Sequence, residues 1–477
     1  MNLSLNAIQA AMGAVGFLGN AGELVPTGVQ TDSRVLREGE LFFCISGERF
    51  DGHTFARAAV EHGACAVVAE RPPFSVEEMC GMRCEAGGVP LLIVRNSVEA
   101  LGKLAAFHRQ QASATVVGVT GTAGKTTVKE LLAQVLVARG ETARNHLNLN
   151  NQIGLPVSML AASGAERFWV MEAGISQPHD MDELAAILRP DLALILNVGA
   201  GHTQGLGDKG VAHYKARLLS YVPQGGIGLV SADYPDLVTE AKSTRTELRF
   251  FSRRDVSVAY RAAYAGPESG VRGRYHVWLD GRECEVVAPF QGGFAAENVI
   301  AVAAAAHLLG LSSQEIVAGF AQARLPEKRF CCQRRGRWLV IDDSYNANPL
   351  SSGRMVETAH EMAADGSLML VMGEMRELGE EAAAAHEALG RAMAATHADA
   401  IFWTGGHADD VRQGLEAGGW TGTLQTARTP EEFMNGFMDS ELRSGVVLFK
   451  GSRSNRMERM VEVFCARQGA TEGTDAL

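Results

Sequence analysis

"GVTGTAGKTTVKE", residues Gly118 to Glu130, follows an apolar run that begins at Ala114 and leads into a helical pattern. The general phosphate-binding loop is written G-x-x-x-x-G-K-[ST], and Val119 stands where its first glycine would be. A strand before the loop and a helix after it are nevertheless the surroundings that such a loop needs. We therefore predict that the loop is a cradle for ATP or GTP. The alternative is a glycine-rich turn whose lysine is solvated.

Each residue type in this loop suits a phosphate ligand. Glycines let the backbone curl so that successive N–H groups point at phosphate oxygens, and the helix N-terminus adds a positive dipole end. Lys125 would reach the β- and γ-phosphates, and Thr126 would offer its hydroxyl to Mg²⁺. The expected nucleotide-binding residues of the loop are Gly121, Thr122, Ala123, Gly124, Lys125, Thr126 and Thr127.

The composition is that of an ordinary globular protein. The chain has 477 residues, 46% of them hydrophobic and 21% charged, and this length suggests roughly three domains. A net charge of −11 argues against a broad nucleic-acid surface, so local clusters must hold any anionic ligand. No basic segment precedes the apolar stretch at the N-terminus, and no apolar run reaches the roughly 18 residues that span a bilayer. Because the eight cysteines are scattered, we interpret them as reduced thiols of a cytoplasmic protein.

Three blocks follow one another along the chain, with predicted limits at 1–112, 113–324 and 325–477. In the second block, short apolar runs alternate with helical stretches, which indicates βαβ units and a parallel sheet buried on both faces. Residues 249–287 alternate polar and apolar side chains and predict antiparallel strands. The third block again alternates strands and helices. The predicted fold class is therefore α/β with three domains: an N-terminal α/β domain, a central parallel-sheet domain with the phosphate loop, and a C-terminal α/β domain.

Three further residues of the second block could serve the loop. Glu172 ends the apolar strand FWVMEAG, at the rim where α/β sheets bind ligands. Its carboxylate could supply an oxygen to Mg²⁺ or could cap a nearby helix. His202 follows the next strand at the same rim, and Lys215 lies on a predicted helix. Taken alone, a histidine is more often structural and a helix lysine is usually solvated.

Several longer segments resemble the Mur ligase family, ATP-dependent enzymes that form the amide bonds of the peptidoglycan peptide. GTAGKTT (121–127) resembles the family's G-T-x-G-K-T-[ST] loop, so its glycine spacing is a family variant. HLNLNNQIGLP (146–156) resembles H-x-N-x-N-N-x-I-G-L-P, and VIDDSYNANPLS (340–351) resembles D-D-S-Y-N-A-N-P-x-S. TDSRVLREGELFFCISGERFDGHTFARAAVEHGA (31–64) resembles the family's uridine-nucleotide domain. The resemblance touches all three blocks, and it implies that the C-terminal domain is Rossmann-like.

For catalysis and nucleotide binding, the resemblance implies roles residue by residue. The implied catalytic residues are Lys125, Glu172, His202 and a carbamylated Lys215, and the implied Mg²⁺ ligands are Thr126, Glu172, His202 and the Lys215 carbamate. Asn298 would contact adenine, while Arg329 and Asp343 would reach the nucleotide from the third block. Phe294 and Ala295 stand where the family usually has a His-Asn pair. Adenine would therefore receive fewer side-chain hydrogen bonds than is usual in the family.

The resemblance also implies where the other substrates bind. Ser33 and Arg34 would contact the UDP end of one substrate, with Arg49 and His53 as weaker candidates. An ion pair within the fold is the alternative role of Arg34. The remaining substrate-binding candidates are asparagines, which could equally be turn formers: Asn148, Asn150, Asn151, Asn346 and Asn348.

Taken together, the resemblance implies a ligase that joins D-alanyl-D-alanine to a UDP-N-acetylmuramoyl-tripeptide through an acyl phosphate. ATP and Mg²⁺ would be required, ADP and phosphate would be released, and the product would enter cytoplasmic peptidoglycan synthesis, on which cell shape and division depend. We expect a monomer that acts on small molecules and binds no nucleic acid or membrane. The alternatives are the family member that adds the diamino acid, a folylpolyglutamate synthase-like ligase and, more remotely, a nucleotide-binding module without catalysis.

Overall fold

A computed structural model describes residues 1–18, 24–47, 50–73, 89–199 and 209–469. These residues form three β-sheets of five, nine and six strands, and helices pack on the sheets. Each sheet is built from one of the three predicted blocks, so the prediction of a three-domain α/β fold is confirmed. The exact residue limits of the domains stay a prediction.

The first sheet is mainly parallel. Its strands are β1 (Gly16–Leu18), β2 (Val29–Gln30), β3 (Leu41–Phe43), β4 (Ala66–Ala69) and β5 (Leu91–Ile93). Their order is β1-β5-β4-β3-β2, and only β1 runs antiparallel to its neighbour. The accompanying helices are α1 (Leu5–Met12), α2 (Ala56–Glu61) and α3 (Ser97–Gln111), with a 3₁₀ turn at Gly52–Phe55. Asn96 begins α3 by accepting the Glu99 N–H at 2.9 Å, as expected of an asparagine cap.

The central sheet carries the phosphate loop. Its strands are β6 (Thr115–Thr120), β7 (Thr142–Arg144), β8 (Phe168–Glu172), β9 (Leu192–Ile195), β10 (Ile227–Ser231), β11 (Glu247–Ser252), β12 (Tyr260–Pro267), β13 (Gly273–Leu279) and β14 (Arg282–Ala288). Their order is β14-β13-β12-β11-β10-β9-β6-β8-β7. After β6 the chain forms β7 and β8 on one side of it and then crosses to β9 on the other side. The loop after β6 therefore lies at the switch point where such sheets bind ligands.

Helices cover both faces of the central sheet. They are α4 (Lys125–Leu136), α5 (Gly154–Ala161), α6 (Asp180–Leu188), α7 (Gly210–Ala216), α8 (Pro235–Lys242), α9 (Ala295–Leu308) and α10 (Ser313–Gln322), with 3₁₀ turns at Val137–Arg139 and Arg217–Tyr221. One apolar layer lies under α9 and includes Val119 and Leu194. The opposite layer includes Leu184 and continues through Leu101 and Leu104 of α3 to the first sheet. Helix α3 therefore joins the first two sheets through a shared apolar core.

The prediction of antiparallel strands over residues 249–287 is wrong at its first strand. β11 runs parallel to β10 and to β12, whereas β13 and β14 are antiparallel. Side chains of β11 alternate between exposed and half-buried along its first four residues. A parallel strand forms a continuous apolar run only where both faces are covered, and this strand is covered incompletely.

The third sheet is parallel apart from its first strand. Its strands are β15 (Cys331–Arg335), β16 (Trp338–Asp343), β17 (Leu368–Gly373), β18 (Ala400–Thr404), β19 (Gln425–Thr426) and β20 (Gly445–Lys450), in the order β15-β16-β20-β17-β18-β19. Its helices are α11 (Pro349–Ala363), α12 (Ala382–Ala394), α13 (Ala408–Ala417), α14 (Pro430–Asp439) and α15 (Glu458–Gln468), with 3₁₀ turns at Gly379–Glu381 and Arg453–Asn455. Within the described ranges, every helix is too short or too polar to cross a bilayer.

Candidate active site

A cavity of about 760 Å³ lies between the central and third sheets, at the carboxyl ends of their parallel strands. This is the edge at which open α/β sheets bind ligands. The sequence-predicted residues that line the cavity are Thr122, Ala123, Gly124, Lys125, Thr126, Thr127, Asn148, Asn150, Glu172, Lys215, Asn298, Arg329, Asp343, Asn346 and Asn348. The fold therefore brings residues from distant parts of the chain to one site.

The phosphate loop turns sharply from β6 into α4. Gly124 has a φ of +82°, and a Cβ built there would lie 2.6 Å from Oδ1 of Asn298, so only glycine fits. Lys125 Nζ donates to the Gly121 carbonyl at 2.9 Å, which leaves its remaining protons free to meet a phosphate. Burial lowers the pKa of Lys125; Glu172 opposes that shift and Arg329 adds to it. The first N–H groups of α4 lack partners within the helix and can bind an anion.

Asn197, which follows β9, holds the loop in place and was missed in the sequence. Its Oδ1 accepts the N–H groups of Thr122 at 3.0 Å and Ala123 at 2.8 Å, and its Nδ2 donates to the Ala123 carbonyl at 3.0 Å. The side chain is fully buried. One amide therefore satisfies donors and an acceptor of the loop, a pairing that sequence order does not reveal.

Glu172 is buried at the end of β8 and accepts hydrogen bonds at both carboxylate oxygens. Thr126 Oγ1 donates to Oε2 at 2.7 Å, and Asn150 Nδ2 donates to Oε1 at 2.6 Å. Asn145 holds the Glu172 backbone by accepting its N–H and donating to its carbonyl, each at 2.9 Å. The asparagine-rich segment, residues 145–151, therefore packs against the end of β8 and fixes the direction of the Glu172 carboxylate.

Lys129 is a second residue whose role the sequence did not predict. It holds the asparagine-rich segment through its backbone carbonyls. Its ammonium is fully buried and donates to the carbonyls of Asn145 at 2.6 Å and Leu147 at 2.7 Å. Glu130 Oε1 lies 2.9 Å from the same nitrogen. Three acceptors thus surround this ammonium, and two of them are carbonyls of the segment that it holds.

Lys215 on α7 is also buried but, unlike Lys129, lacks acceptors among the described residues. It is buried in the cavity wall, and no described residue forms a hydrogen bond with its Nζ. Burial lowers the pKa of Lys215 well below its ordinary value; the charge of Lys125 adds to this shift, and Glu172 only partly offsets it. The side chain is therefore an amine poised to lose its proton and act as a nucleophile.

The donor set beside the loop suits a hard cation. The Thr126 hydroxyl and the Glu172 carboxylate are oxygen ligands 2.7 Å apart, the type that Mg²⁺ prefers. Within the part of the chain that the structure describes, no group of three His, Cys, Asp or Glu side chains converges on a metal position. His202, the predicted histidine ligand, lies outside the described residues. The residues present fit Mg²⁺ held jointly by protein and phosphate oxygens.

The third sheet contributes a paired carboxylate and lysine. Asp343 and Lys450 end the neighbouring strands β16 and β20, and Lys450 Nζ donates to Asp343 Oδ2. Lys450 also donates to the Asn346 carbonyl at 3.0 Å, and Asp343 Oδ1 accepts the N–H of Phe330 at 3.1 Å. Lys450 was missed because sequence order does not show that β20 lies beside β16.

Arg329 lies where the chain enters the third sheet. Its guanidinium stacks 4.2 Å from the centroid of the Tyr345 ring. The flanking residues Lys328 and Phe330 have φ values of +59° and +54°, a left-handed conformation that costs roughly 1–2 kcal/mol for each non-glycine residue. A segment held in this way fixes the direction in which Arg329 enters the cavity.

The start of α9 forms the wall beside the loop. Phe294, which replaces the family's usual histidine, lies between two guanidinium groups, with Arg253 4.2 Å and Arg354 5.4 Å from its ring centroid. Ala295 supplies no side-chain hydrogen bond. Oδ1 of Asn298 is buried, has no hydrogen-bond partner among the described residues and packs against Gly124 of the loop. Its predicted contact with adenine stays a prediction.

Two of the predicted asparagines already have structural roles. Asn348 Oδ1 accepts the Ser351 N–H at 2.8 Å as the cap of α11, and its Nδ2 donates to the Thr122 carbonyl at 3.1 Å. Asn151 Oδ1 accepts the Gly154 N–H at 2.8 Å at the start of α5 and does not line the cavity. Their contacts with substrate stay predictions.

The residues predicted to bind the UDP end lie on the first domain, apart from the cavity. Arg34 is 85% exposed and pairs with Asp32, Nη2 to Oδ2, at 2.6 Å, and Asp32 raises the pKa of the guanidinium. Ser33 is buried, and its carbonyl accepts a hydrogen bond from the His62 ring at 2.7 Å.

His53, the weaker candidate in the first domain, is engaged at both ring nitrogens. Asp51 Oδ1 lies 2.7 Å from Nδ1, and the Glu70 N–H donates to Nε2 at 3.0 Å. The ring is therefore held by the fold. Arg49 lies outside the described residues.

Fold and site together define a three-domain nucleotide-binding protein whose phosphate loop faces the strand ends of a second α/β domain. Family models match three parts of the chain: the Mur ligase family catalytic domain at residues 26–109, the Mur ligase middle domain at 119–306 and the glutamate ligase domain at 328–453. The chain belongs to the Mur ligase family. It is 33% identical over 448 residues to the UDP-N-acetylmuramoyl-tripeptide–D-alanyl-D-alanine ligase of Escherichia coli K12, and the match covers 91% of this chain and 92% of that protein.

Solved structures give the same result over nearly the whole chain. A crystal structure of MurF from Acinetobacter baumannii aligns with a TM-score of 0.83 at 27% identity, covering 98% of this chain and 99% of that one. The MurF ligase from Thermotoga maritima in complex with ADP aligns with a TM-score of 0.80 at 27% identity, covering 92% and 97%. The predictions of the Mur ligase family and of an ATP-dependent ligase are confirmed.

Proposed function

We propose that the protein joins D-alanyl-D-alanine to a UDP-N-acetylmuramoyl-tripeptide and converts ATP to ADP and phosphate. The relatives described above carry the name of this ligase, which favours it over the diamino-acid-adding ligase and folylpolyglutamate synthase. One structural observation carries the proposal. The half-buried Lys125 and the buried Lys215 lie beside Glu172 in a cavity that the strand ends of the third domain complete.

The reaction requires two anions to approach each other. A carboxylate oxygen of the tripeptide attacks the γ-phosphorus of ATP, the bond to the bridging oxygen breaks, and ADP leaves. The dipeptide amine then attacks the acyl carbon, loses a proton, and displaces phosphate. Lys125, whose Nζ rests 2.9 Å from the Gly121 carbonyl, is placed to neutralise the charge on the transferred group.

Thr126 and Glu172 would hold Mg²⁺, which supplies charge neutralisation and orientation at the phosphate oxygens. Asn150 keeps the Glu172 carboxylate oriented through its 2.6 Å hydrogen bond, so the ligand does not need to reorganise when nucleotide binds. His202 and a modified Lys215 complete the proposed ligand set.

We propose that Lys215 is carbamylated. The neutral amine attacks carbon dioxide, the new N–C bond forms, and one proton is released, which converts an amine into a carboxylate. The low pKa of Lys215, caused by burial and the neighbouring charge of Lys125, supports this step because only the unprotonated amine reacts. The product anion would lie between Lys125 and the metal position, where the amine has no hydrogen-bond partner among the described residues.

Closing of the third domain over the nucleotide completes the proposed mechanism. Arg329 and Asp343 line the cavity from that side, and Asn348 already touches the loop at the Thr122 carbonyl, 3.1 Å away. A closed cavity excludes the water that would otherwise hydrolyse the acyl phosphate, and it positions the acceptor amine.

The decisive experiment offers the purified protein each candidate amine acceptor together with ATP, Mg²⁺ and a UDP-N-acetylmuramoyl-peptide. Phosphate release and the product mass are measured with D-alanyl-D-alanine, a diamino acid or glutamate. We expect release only with D-alanyl-D-alanine, and a product heavier by the dipeptide minus water. A product with one of the other acceptors instead would establish the corresponding alternative, and nucleotide binding without any product would favour a non-catalytic module.

We also propose that the protein is a cytoplasmic monomer. Cysteines in the described part of the chain form no disulfide, as expected in a reducing compartment. Size-exclusion chromatography with light scattering tests the assembly state, and a mass twice that of the chain would overturn it.

A further inference from the structure

A buried carboxylate links the third domain to the phosphate loop. Glu297 lies at the start of α9 in the central domain, and its side chain is fully buried. Its Oε2 lies 2.6 Å from Nη2 of Arg354, which belongs to α11 of the third domain. The same oxygen accepts a hydrogen bond from Asn197 Nδ2 at 3.3 Å. One carboxylate oxygen is therefore shared between a partner from another domain and a partner beside the loop.

Arg354, Glu297 and Asn197 thus form a chain of contacts from the third domain, and Asn197 extends this connection to the loop backbone. Its amide accepts the N–H of Ala123 at 2.8 Å and donates to the carbonyl of the same residue at 3.0 Å. The N–H of Thr122 is divided between Oδ1 and the carbonyl oxygen of Asn197, both at 3.0 Å. Ala123 depends on the side chain alone and is the more sensitive reporter of its orientation.

Arg354 also donates to the hydroxyl of Tyr234, so the contact at the domain boundary involves a second residue of the central domain. Glu297 Oε1 and Arg354 Nε are both buried and lack a hydrogen-bond partner among the described residues. Loss of Arg354 would leave a buried carboxylate without its cation, which is strongly unfavourable. The carboxylate would then turn or take a proton, and Asn197 would lose a fixed acceptor.

We propose that Glu297 is a positioning residue that makes the geometry of the phosphate loop depend on docking of the third domain. Arg354 fixes Glu297, Glu297 orients the Asn197 amide, and Asn197 sets the direction of the Ala123 N–H. The loop reaches its phosphate-binding geometry only when the third domain is docked. This inference goes beyond the ligase function, because the loop geometry can be measured without any reaction.

The test measures hydrogen–deuterium exchange at single amides in nucleotide-free protein. Arg354→Met and Glu297→Gln should each speed exchange of the Ala123 amide about tenfold, the loss expected for one hydrogen bond to a charged network. Amides in the interior of α4 should not change. Glu361→Gln is the matched control, because Glu361 also lies on α11 and contacts the central domain, at the Gly293 N–H 3.3 Å away, without reaching the loop.

A double variant tests whether Glu297 couples domain docking to the loop geometry or only stabilises the interface between the domains. Glu297→Gln with Arg354→Met should exchange no faster at Ala123 than Arg354→Met alone, because both changes act through one contact. Binding of Mg·ADP, measured by calorimetry, should weaken about tenfold in each single variant and not in Glu361→Gln. Unchanged exchange at Ala123, or additive effects in the double variant, would show that Glu297 only joins the domains and would overturn the proposal.

If Arg354→Met fails to fold, Arg354→Lys provides a second test, since it keeps a cation but not the forked geometry. Its exchange at Ala123 should lie between those of the parent and Glu297→Gln. Exchange equal to the parent in both Arg354→Lys and Glu297→Gln would likewise reject the connection. Because no substrate is present in the exchange measurement, its result is independent of which acceptor the enzyme uses.

Discussion

Lys215 and Lys450 face the same cavity from opposite sheets and are almost equally buried, with 3% and 2% of their surfaces exposed. Lys450 donates to the Asp343 carboxylate and to the Asn346 carbonyl. Lys215 has no hydrogen-bond partner among the described residues, and burial lowers its pKa well below the ordinary value. Lysines of equal burial thus have different surroundings: Lys450 is paired with acceptors in the described part of the chain, and Lys215 is not.

Lys129 extends the comparison. It is fully buried, yet its ammonium has two carbonyl acceptors and the Glu130 carboxylate, and it holds the backbone as Lys450 does. We therefore expect the number of acceptors, and not the depth of burial, to distinguish structural from functional lysines in this protein. The same criterion marks Lys125, whose one acceptor is the Gly121 carbonyl.

The largest effect is expected for Lys125→Ala. Removing a cation that meets the transferred phosphoryl group should lower kcat at least about 10³-fold. Steady-state phosphate release measures the loss, and calorimetry measures Mg·ATP binding. Lys103→Ala is the control, because Lys103 forms an exposed pair with Glu99 on α3 at 2.7 Å and should leave the rate unchanged. A near-normal rate in Lys125→Ala would contradict the hypothesis that lysines with few hydrogen-bond acceptors are the functional ones.

Lys215→Ala and Lys450→Ala test the comparison directly. Lys215→Ala should lose about 10²–10³-fold in kcat, and short carboxylic acids such as acetate should restore part of it by replacing the carbamate. Lys450→Ala should respond to no acid, because its missing group is a cation. Activity is titrated with acid at constant ionic strength, and folding is checked by circular dichroism. Absence of rescue in folded Lys215→Ala, or equal rescue of both variants, would count against carbamylation.

Arg34→Ala examines a cation that is paired but exposed. We expect the KM for the UDP-linked substrate to rise about tenfold or more, the effect of one charge-assisted contact, with the KM for ATP unchanged. Arg412→Ala is the matched control, since Arg412 forms an exposed pair with Asp409 on α13, far along the chain from the predicted UDP site. A rise in the KM for ATP instead would mean that the first domain does not hold the UDP end.

The smallest effects concern stability. In protein prepared without carbon dioxide, Lys215 is an unmodified amine whose pKa is lowered on folding. The unfolded chain then binds more protons than the folded chain between that pKa and about 10.4, and stability rises with pH in this window. Lys215→Met should therefore be more stable near pH 7 than protein with an unmodified Lys215, and this gain should shrink towards pH 10.

Lys450→Met should instead destabilise the protein by about 1–3 kcal/mol at both pH values, because it leaves Asp343 without its cation. Urea unfolding at the two pH values measures both variants. A pH-independent increase in the free energy of unfolding of Lys215→Met would contradict the lowered pKa of Lys215. An increase for Lys450→Met would show that the two lysines do not differ in the way described.

The sequence predicted the parts of the site that short segments encode. The phosphate loop, Glu172 at the end of β8 and Asp343 at the end of β16 each stand next to the strand that positions them. Asn197 and Lys450 were missed because their partners come from strands that are neighbours in space only. The strand direction of β11 was predicted wrongly because incomplete coverage gives a parallel strand an alternating pattern.

By itself, the sequence determined the family, the α/β fold and the position of the nucleotide cradle. These features depend on local order: a strand, a glycine turn and a helix are contiguous, and segments of the chain match the family residue by residue. Only the tertiary structure decided which buried lysine has hydrogen-bond partners and which carboxylate joins the domains. The free energy of a buried charge depends on the partners within hydrogen-bonding distance, and at Glu297 and Lys450 those partners come from elements far apart in the chain.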